Sequence, residues 1–367
     1  MRIPPRAGWQ TYQQLAAALA LWPNGGEPEL LARWQSRPAN QSAESFLAGV
    51  HGFASWPDFE AHIRALSRPR SRTARFEAAA EAIINGDEQT LARLLRQSPR
   101  LIRARSNRAH RSTLLHYISA NGVEDERQKT PPNIVAIARL LLNAGAEVNA
   151  LSSAYAGDCT ALLLTATSCH PRDAGLQIPL LELLLAHGAW IERSDGQSAV
   201  NACLYNGRGE AAAFLARRGA SLDIEGAAGV GRLPLVRKLY PAAAPAQRDC
   251  AFAWACQFGH ARVADFLLDA GVSLNASLRH HGQTGLHWAA SGGSPTVVSL
   301  LLARGAAVNA LDPSFSATPT DWALYAAVNS RQTNRASAYR KTVALLRRAG
   351  GRCNPSWLRD PRAVRLL

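Results

Sequence analysis

At 367 residues, 47% of them hydrophobic, the chain can bury a large core and is too long for one ordinary globular domain. It carries 41 bases against 27 acids, a formal charge of +14, and almost every base is arginine. No apolar run approaches the roughly 20 residues that span a bilayer, and the cysteines lack the paired spacing of a disulfide framework or a zinc ribbon.

Residues 1–72 read as a small helical bundle. Apolar residues recur at helical spacing over Gln13–Leu21, Glu29–Trp34 and Glu44–Val50. Ser55-Trp56-Pro57-Asp58 has the form of a capping box opening a helix over Asp58–Leu66. Leu15–Trp22 is short for a secretory signal, is preceded by Gln10, Gln13 and Gln14, and has no small-residue cleavage site after it. Ser67–Arg72 reads as a linker.

From Phe76 onward, pairs of helical patterns alternate with glycine. Phe76–Ser98 holds Asn85-Gly86-Asp87 between two such patterns. An opening motif then recurs as Thr113-Leu-Leu-His116, Thr160-Ala-Leu-Leu163, Ser198-Ala-Val-Asn201 and Thr318-Pro-Thr-Asp321. A closing marker recurs at Gly145, Gly188, Gly219, Gly271, Gly305 and Gly350. The long gap between Gly219 and Gly271 holds two reduced units, Gly226–Tyr240 and Cys250–Asn275. The clearest copy is Gly282–Ala310. There Thr284 opens a helix, and Leu286, Ala289 and Ala290 give it a small apolar face. Gly293 ends that helix, Val297, Val298, Leu300, Leu301 and Leu302 build the next, and Gly305 closes it in the left-handed conformation.

This copy closely resembles an ankyrin repeat, and the series resembles that family over residues 73–352. The marker intervals scatter about the family's 33-residue period. Gly285 departs from the pattern, since the family usually places proline there. The resemblance implies an all-α ankyrin-repeat solenoid of about eight helix-turn-helix units with short β-hairpin fingers, preceded by the N-terminal bundle. Gly49–Leu66 is similar to a segment preceding the repeats in many bacterial ankyrin-repeat proteins, which makes residues 1–72 a cap. The tail 353–367 is expected to fold over the last unit, anchored by Trp357, Leu366 and Leu367. In the family, His116 and His287 tie adjacent turns together. Insertions at Val123–Pro132 and His170–Gly175 read either as solvated loops or as partner-contacting ones.

A repeat stack is a binding surface before it is an enzyme. No nucleophile-elbow, zincin, phosphate-loop or dinucleotide motif stands in a usable context, and no cofactor or metal is expected. Cys203 and Cys256 fall at inward positions, consistent with reduced thiols in a cytoplasmic protein. By the family's pattern the partner-binding candidates are Arg105, Arg108, Arg111 and Asn121, then Gln197, Tyr205 and Asn206, then Phe258, and finally His280, His281 and Gln283. The expected role is that of a monomeric, non-catalytic adaptor whose concave face and fingers hold another protein, one with an acidic patch matching the arginines. The alternative is nucleic-acid or acidic-surface binding through the Arg-rich blocks 93–111 and 331–365. Seven arginines and no acid lie between Gln89 and Val123.

Overall fold

The computed structural model describes residues 8–21, 28–192, 196–275, 282–329 and 335–367. Among them the chain is helical and contains no strand. Isolated antiparallel bridges join Arg105 to Thr113 and Ser152 to Cys159 where hairpin fingers were expected. The chain divides into two compact units, Met1–Trp190 and Ile191–Leu367.

The first unit opens with helices Trp9–Leu21, Pro28–Gln35, Ala43–Val50 and Trp56–Leu66. Ser42 caps the third by accepting from the Ser45 N–H at 3.1 Å. Ser55 caps the fourth by accepting from the Asp58 N–H at 3.2 Å and donates its own hydroxyl to the Asp58 carboxylate at 2.6 Å. The helix therefore begins at Trp56, two residues before the expected Asp58. Leu15, Leu19, Trp34, Phe46 and Leu47 form one small core, and Tyr12, Ala48, Phe53, Phe59 and Ile63 another.

The Ser67–Arg72 segment is a tight turn. Ser71 donates to the Ala65 carbonyl at 2.7 Å and caps helix Arg72–Asn85 through the Ala74 N–H. Gly86, at φ 76°, ends that helix in the left-handed region. A Cβ there would also lie 2.6 Å from the Asn133 side-chain oxygen. Helix Glu88–Gln97 completes the first pair. The second pair joins a 3₁₀ segment, Leu114–Ser119, to helix Ile134–Asn143, and the third joins Ala161–Thr167 to Gln177–Ala186. First members pack on first members and second on second, giving two helical layers.

The second unit repeats this scheme: Ala199–Tyr205 with Gly209–Arg217, Ile224–Gly229 with Leu233–Leu239, Pro245–Phe258 with Ala261–Asp269, Gly285–Ser291 with Pro295–Ala303, and Pro319–Asn329 with Ala336–Arg348. Helix Pro245–Phe258 lies between two other first helices. Every residue from Ala251 to Cys256 is consequently buried. Burying the Trp254 ring alone removes on the order of 200 Å² from water, about 5 kcal/mol. Such close layers need small partners. A Cβ on Gly285 would stand 2.6 Å from Phe252 Cε1. Glycine replaces the usual proline at that position because the Phe252 ring fills the space.

The tail forms a 3₁₀ turn, Pro355–Arg359, and a short helix, Pro361–Val364. Ala363 is fully buried, and Trp357 and Leu366 pack against the core. Leu367 is exposed and lies beyond the last helix, so it is not an anchor, contrary to expectation.

Candidate functional site

The histidines of the opening motif are structural. The Nδ1 of His116 accepts from the Thr113 N–H at 3.0 Å, so Nε2 carries the proton and donates to the carbonyls of Ala150 at 3.0 Å and Cys159 at 3.2 Å. Burial pushes its pKa down to about 4, fixing the neutral ring. His287 repeats the arrangement: it accepts from the Thr284 N–H at 3.2 Å and donates to the Ala317 carbonyl at 3.1 Å. Each imidazole ties its own helix start to the loop of the following pair.

Arg108 was expected at the surface and is instead buried. Its guanidinium lies 2.6 Å from Glu77 and 2.5 Å from Glu124, and it donates to the His51 carbonyl at 3.3 Å. Arg127 reaches the other Glu77 oxygen at 2.6 Å. Glu124 and Arg127 both come from the Val123–Pro132 insertion. That segment is therefore neither a free loop nor a partner loop at these two positions, since its charges close an internal ion cluster. Burial opposes ionisation of Glu124, but the His110 ring and the two guanidinium groups overcome it and hold the carboxyl at about 2. Its buried part is balanced, with two guanidinium groups facing two carboxylates and the half-exposed Glu81 3.9 Å from Arg127 at the edge, and it fastens the N-terminal helices to the first pairs.

Arg105 is half-buried and donates to the carbonyls of Arg111 at 3.0 Å and Leu151 at 2.5 Å. It braces two loops. Arg111 is exposed, at φ 51°. Of the other arginines in that block, Arg93, Arg96, Arg100 and Arg103 are exposed. Asn121 is half-buried, donates to the Leu164 carbonyl at 3.0 Å and accepts from the Tyr155 hydroxyl at 2.7 Å. Tyr155 is itself left-handed, at φ 51°, and its side chain is 68% exposed.

In the second unit, Gln197, Tyr205 and Asn206 are exposed at the ends of helix Ala199–Tyr205. Tyr205 stands edge-on to the Trp254 ring, with centroids 4.9 Å apart. Phe258 is half-buried and lies beside Trp254 and over Gly209, so it packs between pairs. Gln283 is fully buried and presents no surface. His280 and His281 lie outside the described residues.

One concavity in the second unit was not read from the sequence. It has a volume of about 440 Å³ and is lined by Phe315, Trp322, Tyr325 and Trp357, with Ser291 and Asp321 among its polar walls. Its rim is the loop before helix Pro319–Asn329. The buried Asp312 carboxylate accepts the N–H groups of Ser314 at 3.0 Å, Phe315 at 2.9 Å and Ala317 at 3.2 Å, and the Trp322 indole at 3.0 Å. Burial works against its charge, and these donors nonetheless keep its pKa below the usual carboxylate value. The loop turns through Ser316 at φ 49° and leaves Phe315 73% exposed. Its lining comes from segments some forty residues apart. The only sequence clue was the density of aromatic residues between Phe315 and Tyr325, followed by Trp357.

Among the described residues, no group of three or more His, Cys, Asp and Glu side chains could hold a metal ion. No helix there is long and apolar enough to cross a membrane.

Residues 224–312 match the family model for ankyrin repeats, in three copies. The structure is also similar to the crystal structure of the human ASB11 ankyrin repeat domain. The two share 20% identity over 72% of this chain and 95% of that one, with a TM-score of 0.35. No curated protein matches the sequence.

Proposed function

We propose that this chain, whose residues 224–312 match the ankyrin-repeat model, is a non-catalytic scaffold that holds another protein on the exposed loops and helix ends of its repeats. One observation carries the reading. Large aromatic side chains are held out in solvent by loops with strained backbones: Tyr155 is itself left-handed, and Phe315 is followed by the left-handed Ser316. A non-glycine residue in that region costs on the order of 1 kcal/mol or more. A chain that spends this energy to keep a ring exposed is presenting the ring. In the first unit the presented group is Tyr155 with Asn121 and Arg111. In the second it includes Gln197, Tyr205 and Asn206. Aromatic side chains held rigidly at a surface anchor interfaces at low entropic cost. Arg105 and Arg108 support this face from within and do not belong to the contact itself.

The reading is tested by affinity capture from lysate of the source cells, comparing the full chain with a Tyr155→Ala/Arg111→Ser variant and a Tyr205→Ala/Asn206→Ala variant. These residues are exposed, so the variants should fold. The expected result is loss of a reproducible protein partner from at least one variant. Capture of the same partners by both would exclude these faces, and turnover of a substrate by the purified chain would exclude the scaffold reading.

A further inference from the structure

We propose that the aromatic groove between the Leu311–Ala317 loop and the C-terminal tail is the docking site for a quaternary ammonium carried on a protein side chain, that of a trimethylated lysine. The inference deepens the protein-binding reading and rests on it. The groove is lined by the rings of Phe315, Trp322, Tyr325 and Trp357, with Asp321 in its wall and no base among the lining residues. The face of an aromatic ring is negative and attracts a cation within about 6 Å of its centre. Rings also accept an uncharged apolar group, so charge decides between the two, and two carboxylates favour the cation. Asp321 stands in the wall itself. Asp312 lies behind it and accepts the Trp322 indole N–H at 3.0 Å, which pushes electron density toward the face of that ring. Exposed bases of the same stretch, such as Arg352 and Arg359, are not part of the lining. Salt and water screen them more than they screen charges at a covered wall.

The kind of cation follows from the hydrogen bonds. Asp312 accepts the N–H groups of Ser314, Phe315, Ala317 and the Trp322 indole. The buried Asp321 takes a backbone N–H on each oxygen, from Asn354 at 2.7 Å and from Thr318 at 2.8 Å. An entering lysine ammonium or arginine guanidinium would leave its water partners and meet carboxylate oxygens that already hold donors. A quaternary ammonium has no N–H to satisfy and presents methyl groups to the rings. The site is also formed before any ligand arrives. Trp322 is fixed by Asp312 on one side and stands edge-on to Trp288 on another, with centroids 5.5 Å apart. The Phe315 backbone is held by Asp312, and the tail wall is tied in through Asn354. Ordering that is complete before binding does not detract from affinity.

The experiment is saturation-transfer NMR of the full chain with synthetic peptides of glycine and serine around one central residue, titrated to give dissociation constants. That residue is trimethyllysine, unmodified lysine, or the tert-butyl isostere in which carbon replaces the quaternary nitrogen. Choline is the free-ligand probe. The trimethyllysine peptide should bind at least about tenfold more tightly than the other three probes. Phe315→Leu and Tyr325→Leu, both at exposed positions, keep an apolar surface and remove a ring face, and each should weaken that peptide about threefold or more. Tyr325→Phe keeps the face and should retain binding; its loss there would assign the contact to the hydroxyl and count against the proposal. Equal binding of the neutral isostere would mark a merely apolar groove and overturn the proposal. So would equal or tighter binding of unmodified lysine, or binding unchanged by both leucine variants. Choline bound as tightly as the peptide would overturn the protein-borne source. If no peptide binds a chain that still captures its cellular partner, the groove assignment fails and the scaffold reading stands.

Discussion

Replacing Arg108 by methionine tests whether the buried ion cluster holds the first unit together. The side chains involved are almost wholly excluded from water, with Arg108 9%, Glu77 4% and Glu124 6% exposed. The methionine removes one cation from a balanced set and leaves a net negative charge among Glu77, Glu124 and Arg127. An unpaired buried charge of this kind costs about 3–5 kcal/mol. Amides that exchange through opening of this region should then lose protection by about a hundredfold to a few thousandfold. Hydrogen exchange read by mass spectrometry over helices Trp56–Leu66 and Arg72–Asn85 is the assay. Adding Glu124→Gln restores neutrality and leaves the Glu77–Arg127 pair intact, so the double variant should regain most of the protection. Glu124 has its pKa depressed to about 2 from 4.5. Its contribution is present above pH 4.5 and is lost as pH falls toward 2, so the penalty of the single variant should shrink over that window. A single variant costing under about 1 kcal/mol, or a double variant no better than the single, would refute the cluster's role.

Other consequences are open to direct measurement. His62 is buried beside Arg108, Arg127, Glu77 and Glu124, and burial, then the Arg108 charge, pushes its pKa from 6.5 down to about 4. The unfolded chain takes up a proton below pH 6.5 that the folded ring refuses, so stability falls as pH drops from 6.5 to 4. His62→Leu should flatten urea titrations between pH 7 and 4.5 by about 2–3 kcal/mol, and an unchanged slope would show that the ring does not resist protonation. A Cβ on Gly292 would stand 1.9 Å from the Gln257 carbonyl oxygen, a backbone atom that cannot swing aside. Gly292→Ala should therefore cost about 1–3 kcal/mol or more in thermal melts, while Gly305→Ala, with open space around it, should lose about 1 kcal/mol to backbone strain alone. Cys203 and Cys256 are wholly buried, and burial raises both thiols, Cys203 to about 12. Thiol reagents should label Cys169, Cys250 and Cys353 in the native chain, and reach Cys203 and Cys256 only on unfolding.

Much of this architecture was written in short-range chemistry. Glycines such as Gly86 and Gly305, the Thr-x-x-His openings and the Ser55 cap each act within four or five residues, so spacing located the helix pairs, and the family resemblance supplied the histidine ties. What stayed hidden depends on meetings between distant segments. Arg108 looks like a loop arginine until Glu77 and Glu124 are brought to it. Gln283 looks exposed from its place in the repeat, and its burial depends on neighbours that the local sequence does not name. The 3₁₀ segment Leu114–Ser119 ends on a left-handed Ala120, which no propensity signals. The aromatic groove escaped notice because its wall is shared between Phe315–Tyr325 and Trp357. The rule that first-helix ends and fingers carry the contact looks elsewhere.

The insertion that closes the ion cluster has a consequence for how such a chain can change over time. A solenoid normally tolerates gain or loss of whole units, since neighbouring modules present interchangeable faces. Here the opening modules are keyed to what precedes them through charges supplied by an apparently superfluous loop. Trimming the loop to make the module regular would strand Arg108 and Glu77. Duplication or deletion is therefore cheap in the interior of the array and costly at its start. A consensus replacement of that first stretch would erase the lock along with the irregularity.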